Sequence, residues 1–351
     1  MDTFPCPLPE GVKQNVLNLG VSKRYLIDLP HSGLRTESIL SEDELVNLCT
    51  EACNKAIKKA RLSIKDIGYF IAAYDVNPFL SPGLSQLLVP KLGFSPYVNH
   101  VNVQGFASTA FPKALQLAEN YLAAHSSDFA LICVSGVSSY WFQSQVQGIR
   151  KVMEIGQINK IKEEAKRLFE LRKWIAAMQF FLFGDGVAAA VVANGTEGLL
   201  VKKIVEVTNL RKKDYMAGYA RLTGTREPFR FGFCSFLGKE IPNLGAEYTG
   251  LALKELLGTN YERMIKAVKK WVVHTGSEKI LNTLAEQHGI EHDKLEESLY
   301  ILREYGNLAG ASLPFILEKI VSGKKLPEGD LVLMVGYGWG FSAAACLLEA
   351  I

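Results

Sequence analysis

The stretch Val101-Asn-Val-Gln-Gly105-Phe-Ala-Ser108-Thr-Ala110-Phe-Pro112-Lys-Ala114-Leu115 decides the reading of this chain. A short apolar run, Val101 to Val103, reads as a strand, and Gly105 interrupts it. From Ala110 to Ala124 the apolar residues recur at helical spacing. Ser108 therefore stands at a strand-to-helix junction. Backbone N–H groups at a helix N-terminus favour a developing anion, and a serine there is a nucleophile if a base is near. The competing reading is plain capping. Serine is a preferred N-cap, and Pro112 fits only within a first helical turn.

Working outward, apolar runs at Ile67–Ala73, Phe129–Val134, Gly186–Ala193 and Leu331–Val335 read as buried strands. Between them, helical patterns cover Ser41–Ala60, Ala110–Ala124, Asn260–Lys270, Ser277–Gln287 and Gly310–Val321. Ser41 with Glu44 three residues on forms a capping-box signature. Alternating strands and helices predict an α/β layered fold. The polar turn Gly195 to Gly198 marks a seam between two halves, 1–195 and 196–351. The segment Gln143–Phe181 reads either as a solvated helical insertion or as a lid or dimer-interface element. Leu168, Leu171, Trp174 and Ile175 would be its apolar stripe.

The 351 residues are 48% hydrophobic and 21% charged, ordinary globular composition. With 39 basic and 36 acidic residues the net charge is +3, which gives no electrostatic case for nucleic acid. Arg150, Lys151 and Arg211 to Lys213 read as surface charge rather than as a phosphate site. None of the six cysteines forms a C-x-x-C or zinc-ligand spacing. Free thiols suggest a reducing compartment, hence the cytoplasm, and no metal or cofactor is expected. Met1 to Gln14 does not read as a signal peptide, and no apolar run is long enough to span a membrane.

Three more segments carry chemistry. In Trp271-Val-Val-His274-Thr-Gly276-Ser277 an apolar run ends in a histidine, facing the crevice where α/β folds bind ligands. Neutral imidazole exchanges protons near pH 7, although a lone histidine there is often structural. In Glu304-Tyr-Gly-Asn307-Leu-Ala-Gly310, the Asn307 amide either caps a helix or donates to a thioester or enolate oxygen. The glycines of Gly336-Tyr-Gly338-Trp-Gly340-Phe allow close backbone approach, and their N–H groups could serve an oxyanion hole.

In this order and spacing the segments resemble the thiolase superfamily, and more narrowly ketoacyl-ACP synthase III and the chalcone synthase or type III polyketide synthase enzymes. Phe183-Gly-Asp-Gly-Val-Ala-Ala-Ala190, Glu304-Tyr-Gly-Asn307, His274-Thr-Gly276 and the glycine loop from Gly336 to Gly340 carry the resemblance, which covers nearly the whole chain. It implies a five-layered α-β-α-β-α fold of two similar halves and a homodimer. It also implies catalysis by residue 108, His274 and Asn307 on an acyl-CoA or acyl-carrier-protein thioester.

The family nucleophile is a cysteine, and counting back from Ala114-Leu115 places it on Ser108. A thiol of pKa about 8.5 is easily activated at a helix N-terminus. A serine hydroxyl needs a base, and His274 is the candidate. An acyl-serine favours acyl transfer over repeated condensation, and one condensation with a malonyl thioester stays open. A Cys→Ser replacement made to trap an acyl complex would look the same. The chalcone synthase gate phenylalanine aligns with Ser235. Phe229, Phe231, Phe233 and Phe236 are either a tunnel wall or an ordinary buried strand. With Gly338 and Gly340, residues 229, 231, 235 and 236 form the expected substrate-binding set. The expected activity is an acyltransferase or condensing enzyme. The alternative is a catalytically silent partner subunit, or, more weakly, a thioesterase.

Overall fold

The computed structural model describes residues 3–27, 42–77, 81–222, 233–323 and 326–351. Its strands are β1 (Ile67–Tyr74), β2 (Asn99–Gln104), β3 (Phe129–Ser135), β4 (Val187–Ala193), β5 (Leu199–Thr208), β6 (Gly218–Leu222), β7 (Phe233–Leu237), β8 (Lys270–Val273), β9 (Leu331–Gly338) and β10 (Ser342–Ala350). Its helices are α1 (Glu10–Leu17), α2 (Glu42–Lys59), α3 (Leu84–Leu92), α4 (Ala110–Ala124), α5 (Ser139–Val146), α6 (Ile155–Ile158), α7 (Glu164–Leu182), α8 (Ile241–Leu257), α9 (Tyr261–Ala267), α10 (Glu278–His288), α11 (Glu296–Tyr305) and α12 (Ser312–Ser322).

Strand parity builds the layers. Side chains alternate across a strand, so a strand apolar at every position must be covered on both faces. In β3, Ile132 and Val134 pack on α4 and α12, while Leu131 and Cys133 pack on α2 and α3. In β9, Val332 and Met334 join the same central cluster, while Leu333 and Val335 pack on α8 and α10. The two central helices thus lie between two sheets, each sheet backed by an outer helical layer. This is the five-layered α-β-α-β-α thiolase fold. Cys133 falls on the face of its strand turned away from α4, among Cys49 and Cys53 of α2.

The first sheet has the order β2-β1-β3-β4 and the second β5-β10-β9-β8, with β6 and β7 a separate pair. A unit recurs: β1 runs parallel to β3 and β3 antiparallel to β4, as β8 runs parallel to β9 and β9 antiparallel to β10. In each case the central helix, α4 or α12, enters just before the middle strand.

One reading needs correction. The helix expected over Asn260–Lys270 stops at Ala267, because Val268 leaves helical space at ψ 127° and Lys270 opens β8 against β9. The insertion is helical and exposed over its charged middle, and its C-terminal part packs into the core. Leu168 is 38% exposed, yet Ile175 is 2% exposed, and α7 from Ile175 to Leu182 is largely core against α1 and α5. Ser41 lies outside the described residues.

Candidate active site

β2 hands over to α4 through Gly105 at φ 81° and Ala107 at φ 45°, followed by a 3-10 turn over Ala107–Thr109. The N-cap of α4 is Thr109, and no side chain caps it. Ser108 is therefore not the cap. Its hydroxyl crosses instead to His274, with Oγ 2.8 Å from Nε2. Both residues are buried, at 5% and 4% exposure.

The turn is gripped from several sides. Ala107 N–H donates to Asp75 Oδ1 at 3.1 Å, and Thr109 Oγ1 donates to the Phe106 carbonyl at 2.8 Å. Burial pushes the Asp75 carboxyl up to about 6, against the Ala107 N–H, which lowers it. Gly336 packs onto the Ser108 carbonyl so closely that a Cβ would sit 2.3 Å from its oxygen. Gly338 lies against Ala107 and the Ser108 nitrogen. Here the glycine motif answers to close approach. Gly340 sits at the exposed hairpin tip with φ 112° and no atom near its would-be Cβ, so it shapes the turn and does not line the Ser108 site.

His274 follows β8, and its N–H continues the ladder to the Val335 carbonyl at 3.0 Å. Its ring meets Tyr337 edge-on at 5.4 Å. Among the described residues nothing bonds Nδ1. Burial lowers the ring pKa to about 3, so the imidazole is neutral at ordinary pH. Among the described residues no carboxylate bonds the ring, unlike a serine-histidine-aspartate triad. The neutral ring can accept the Ser108 proton at Nε2 or, in the other tautomer, donate from Nε2 to an oxygen.

Asn307 is 5% exposed and lies between α11 and the next 3-10 turn, Ala309–Ala311. Its N–H donates to the Leu182 carbonyl at 2.9 Å and its carbonyl accepts from Gly184 at 3.1 Å. Two sequence motifs meet in that pairing. Asn307 Oδ1 accepts from Ala309 N–H at 2.8 Å, a local turn bond rather than the expected helix cap, since the N-caps that follow are Leu308 and Ala311. That bond fixes the amide with Nδ2 as the group left to donate. The loop is tied to His274 through Thr275, whose hydroxyl reaches the Gly306 carbonyl at 3.3 Å and Ser312 Oγ at 2.8 Å. Ser312 Oγ in turn accepts from Leu308 N–H.

Asp185 of the same glycine-rich motif is structural. It accepts from Ile27, Ser138 and Ser139 backbone N–H groups and from the Ser139 hydroxyl, stapling three segments together.

The expected substrate wall is only partly in view. Phe229 and Phe231 lie outside the described residues. Ser235 and Phe236 are successive on β7 and so point to opposite faces. Phe236 stacks on Tyr219 of β6 at 5.6 Å, whereas Ser235 turns toward α5 and α7. Arg211 is engaged by Asp214 and Glu247, in keeping with surface charge. Asp75, Gly336 as a packing residue, Tyr337, Gln145 and Gln179 were not singled out by sequence. A lone acid at a strand end or two glutamines in helices carry no local signal.

Comparison with known proteins agrees with the fold. Residues 262–350 match the 3-oxoacyl-[acyl-carrier-protein] synthase III C-terminal family. The chain is 23% identical over 96% of its length, and 85% of the relative's, to 3,5-dihydroxyphenylacetyl-CoA synthase of Amycolatopsis balhimycina. It is 24% identical over 91% of its length, and 88% of the relative's, to β-ketoacyl-ACP synthase III of Clostridium perfringens. The fold matches the crystal structure of 1,3,6,8-tetrahydroxynaphthalene synthase from Streptomyces coelicolor, a bacterial type III polyketide synthase. The TM-score is 0.79 at 22% identity, covering 97% of this chain and 89% of that one.

Proposed function

We propose that this thiolase-fold chain, related to ketoacyl-ACP synthase III and the type III polyketide synthases, takes an acyl group from a CoA or carrier-protein thioester onto Ser108 and passes it to a second substrate. The observation that carries the reading is the buried 2.8 Å contact between Ser108 Oγ and His274 Nε2, at the head of a central helix. Ser108 Oγ attacks the thioester carbonyl as its proton moves to Nε2. The C–S bond then breaks, and the thiolate leaves as a thiol with that proton. An imidazolium is disfavoured here, so proton transfer and departure of the thiolate must be closely coupled.

In the second step the neutral ring and the Asn307 amide are suited to hold an oxyanion. With a malonyl thioester as acceptor, His274 Nε2–H and Asn307 Nδ2–H would stabilise the enolate left by loss of CO2. With an amine or alcohol, His274 would take its proton. A silent partner subunit has no need for a buried histidine held against a serine hydroxyl, a pairing that acyl chemistry explains.

A homodimer is part of the proposal. β2 bonds only β1 among the described residues, which leaves a sheet edge for a second copy to cover. No helix among the described residues is long and apolar enough to cross a membrane, and the thiols at Cys6, Cys49, Cys53, Cys133 and Cys346 are free, which fits a cytoplasmic enzyme.

Intact mass after incubation with a panel of acyl-CoA thioesters tests the reading. Wild type should gain one acyl mass, Ser108→Ala none, and Ser108→Cys should load at least about tenfold faster, since a thiol ionises more readily. Adduct on the alanine variant would remove Ser108 from the mechanism.

A further inference from the structure

Gln145 of α5, Gln179 of α7 and Ser235 of β7 form an enclosed polar cluster, at 3%, 0% and 1% exposure. Gln145 Nε2 donates to Ser235 Oγ at 3.1 Å, and the Ser235 hydroxyl lies 2.5 Å from Gln179 Oε1. These bonds fix the Gln179 amide plane and commit its oxygen. Its Nε2 has no acceptor among the described residues. A buried amide donor without an acceptor is destabilising, so its presence calls for an acceptor that arrives from outside the chain.

The position of the cluster suggests what that acceptor is. Phe183 N–H bonds the Gln179 carbonyl, so Gln179 lies one helical turn, about 5.4 Å, before Phe183. Gln145 lies one turn after Phe142, whose ring stacks on Phe183 at 4.3 Å. Phe183 in turn pairs with Asn307. Both amides are thus set one turn beyond an aromatic pair whose Phe183 backbone bridges to Asn307. An acyl chain held at Ser108 and running past that pair would bring its distal atoms to this depth.

We propose that Gln179 Nε2, oriented by Ser235 and Gln145, donates to an oxygen on the acyl chain remote from the thioester, so that hydroxyacyl and ketoacyl groups are preferred over plain alkyl chains of equal length. This rests on the acyl-thioester reading above. The test is titration calorimetry on the Ser108→Ala chain, where binding is seen without transfer. The ligands are hexanoyl-CoA, 6-hydroxyhexanoyl-CoA and 5-oxohexanoyl-CoA, with the eight-carbon trio, oxygenated at C8 and C7, alongside.

The oxygenated member of at least one trio should bind about tenfold tighter, and Gln179→Met should reduce that ratio to within about twofold. Gln179→Glu, of the same shape but without the N–H donors when ionised, should lose the preference too and guards against a fold defect in the methionine variant. Equal binding of alkyl and oxygenated chains, or a preference that survives both substitutions, overturns the proposal. Absence of binding by every thioester overturns the acyl-thioester reading as well. Selective binding without acyl mass on wild-type Ser108 would instead retain the cluster's role and remove only the nucleophile.

Discussion

The two turns that open the central helices are near copies of one another, and they differ where chemistry is concerned. The first reads Gly105-Phe-Ala107-Ser108-Thr-Ala110-Phe-Pro112, the second Asn307-Leu-Ala309-Gly310-Ala-Ser312-Leu-Pro314. Each has a left-handed alanine, Ala107 at φ 45° and Ala309 at φ 47°. Each passes through a three-residue 3-10 turn into a helix with proline at its third position. The differences are complementary. Ser108 stands opposite Gly310, and Asn307 opposite Gly105. At these two matched positions one turn supplies a hydroxyl and no amide, the other an amide and no hydroxyl. Sterics explains half of this, because the turns pack tip to tip. A Cβ on Gly310 would lie 3.0 Å from the Ala107 carbonyl oxygen and 3.3 Å from the Ala110 Cβ. The contact is tight for a side chain on the second turn.

Asn307→Gly makes the second turn like the first and should have the largest effect. It removes a donor from the developing oxyanion, for which a loss of about 10²–10³-fold in turnover is typical. Acyl loading on Ser108 should persist. Mass spectrometry for loading and product formation for turnover separate the two steps. Equal loss in both would mean that Asn307 serves loading, or simply the fold.

The turns also differ in what faces them. Only Ser108 meets an ionisable ring. His274 is held neutral, with its pKa near 3 against 6.5 unperturbed. Between those values the unfolded chain binds a proton that the folded chain refuses. Stability from this group is therefore complete above about pH 6.5 and is lost as pH falls toward 3, by up to about 1.4 kcal/mol per pH unit. Denaturant melts at pH 7 and 5 on wild type and His274→Phe should show the smaller acid loss in phenylalanine. An equal loss would show that the ring is charged when folded.

How much of this could be read from the chain alone depended on the range of the interactions involved. Apolar runs located β3 and β9 because strands buried on both faces leave a continuous local signal. The capping reading of Ser108 failed because local propensity cannot register a partner 166 residues away. Motif order repaired that failure by pointing to His274 as the partner of Ser108. Of the polar cluster, alignment singled out Ser235, but no motif covered Gln145 or Gln179, which stand 90 and 56 residues from it without periodicity. The Asn260–Lys270 helix ran too long because Lys-Lys-Trp-Val-Val is ambiguous between helix and strand until β9 pairs with it.

Gly310→Ser tests the steric half of the comparison by giving the second turn the first one's side chain. Overpacking of this kind costs about 1–3 kcal/mol, read as a lower denaturant midpoint. The added Cβ presses on the Ala107 carbonyl, so acyl loading on Ser108 should fall together with stability. Unchanged stability would mean that the tips have slack and that the missing second side chain has another cause.

The smallest expected effect concerns a feature that the two turns share by different means. Each left-handed alanine has its N–H taken by a side-chain oxygen. Ala309 uses Asn307 Oδ1 at 2.8 Å, within its own turn, while Ala107 uses Asp75 Oδ1 at 3.1 Å, from the end of β1. If the function of Asp75 is to accept that bond, an amide oxygen should serve as well, as it does in the second turn. Asp75→Ala should cost about 1 kcal/mol, the net worth of one such bond, with a modest fall in loading rate. Asp75→Asn should restore both. Failure of asparagine to rescue loading while it restores stability would assign the Asp75 carboxyl a charge-dependent part in the chemistry at Ser108, beyond holding its turn.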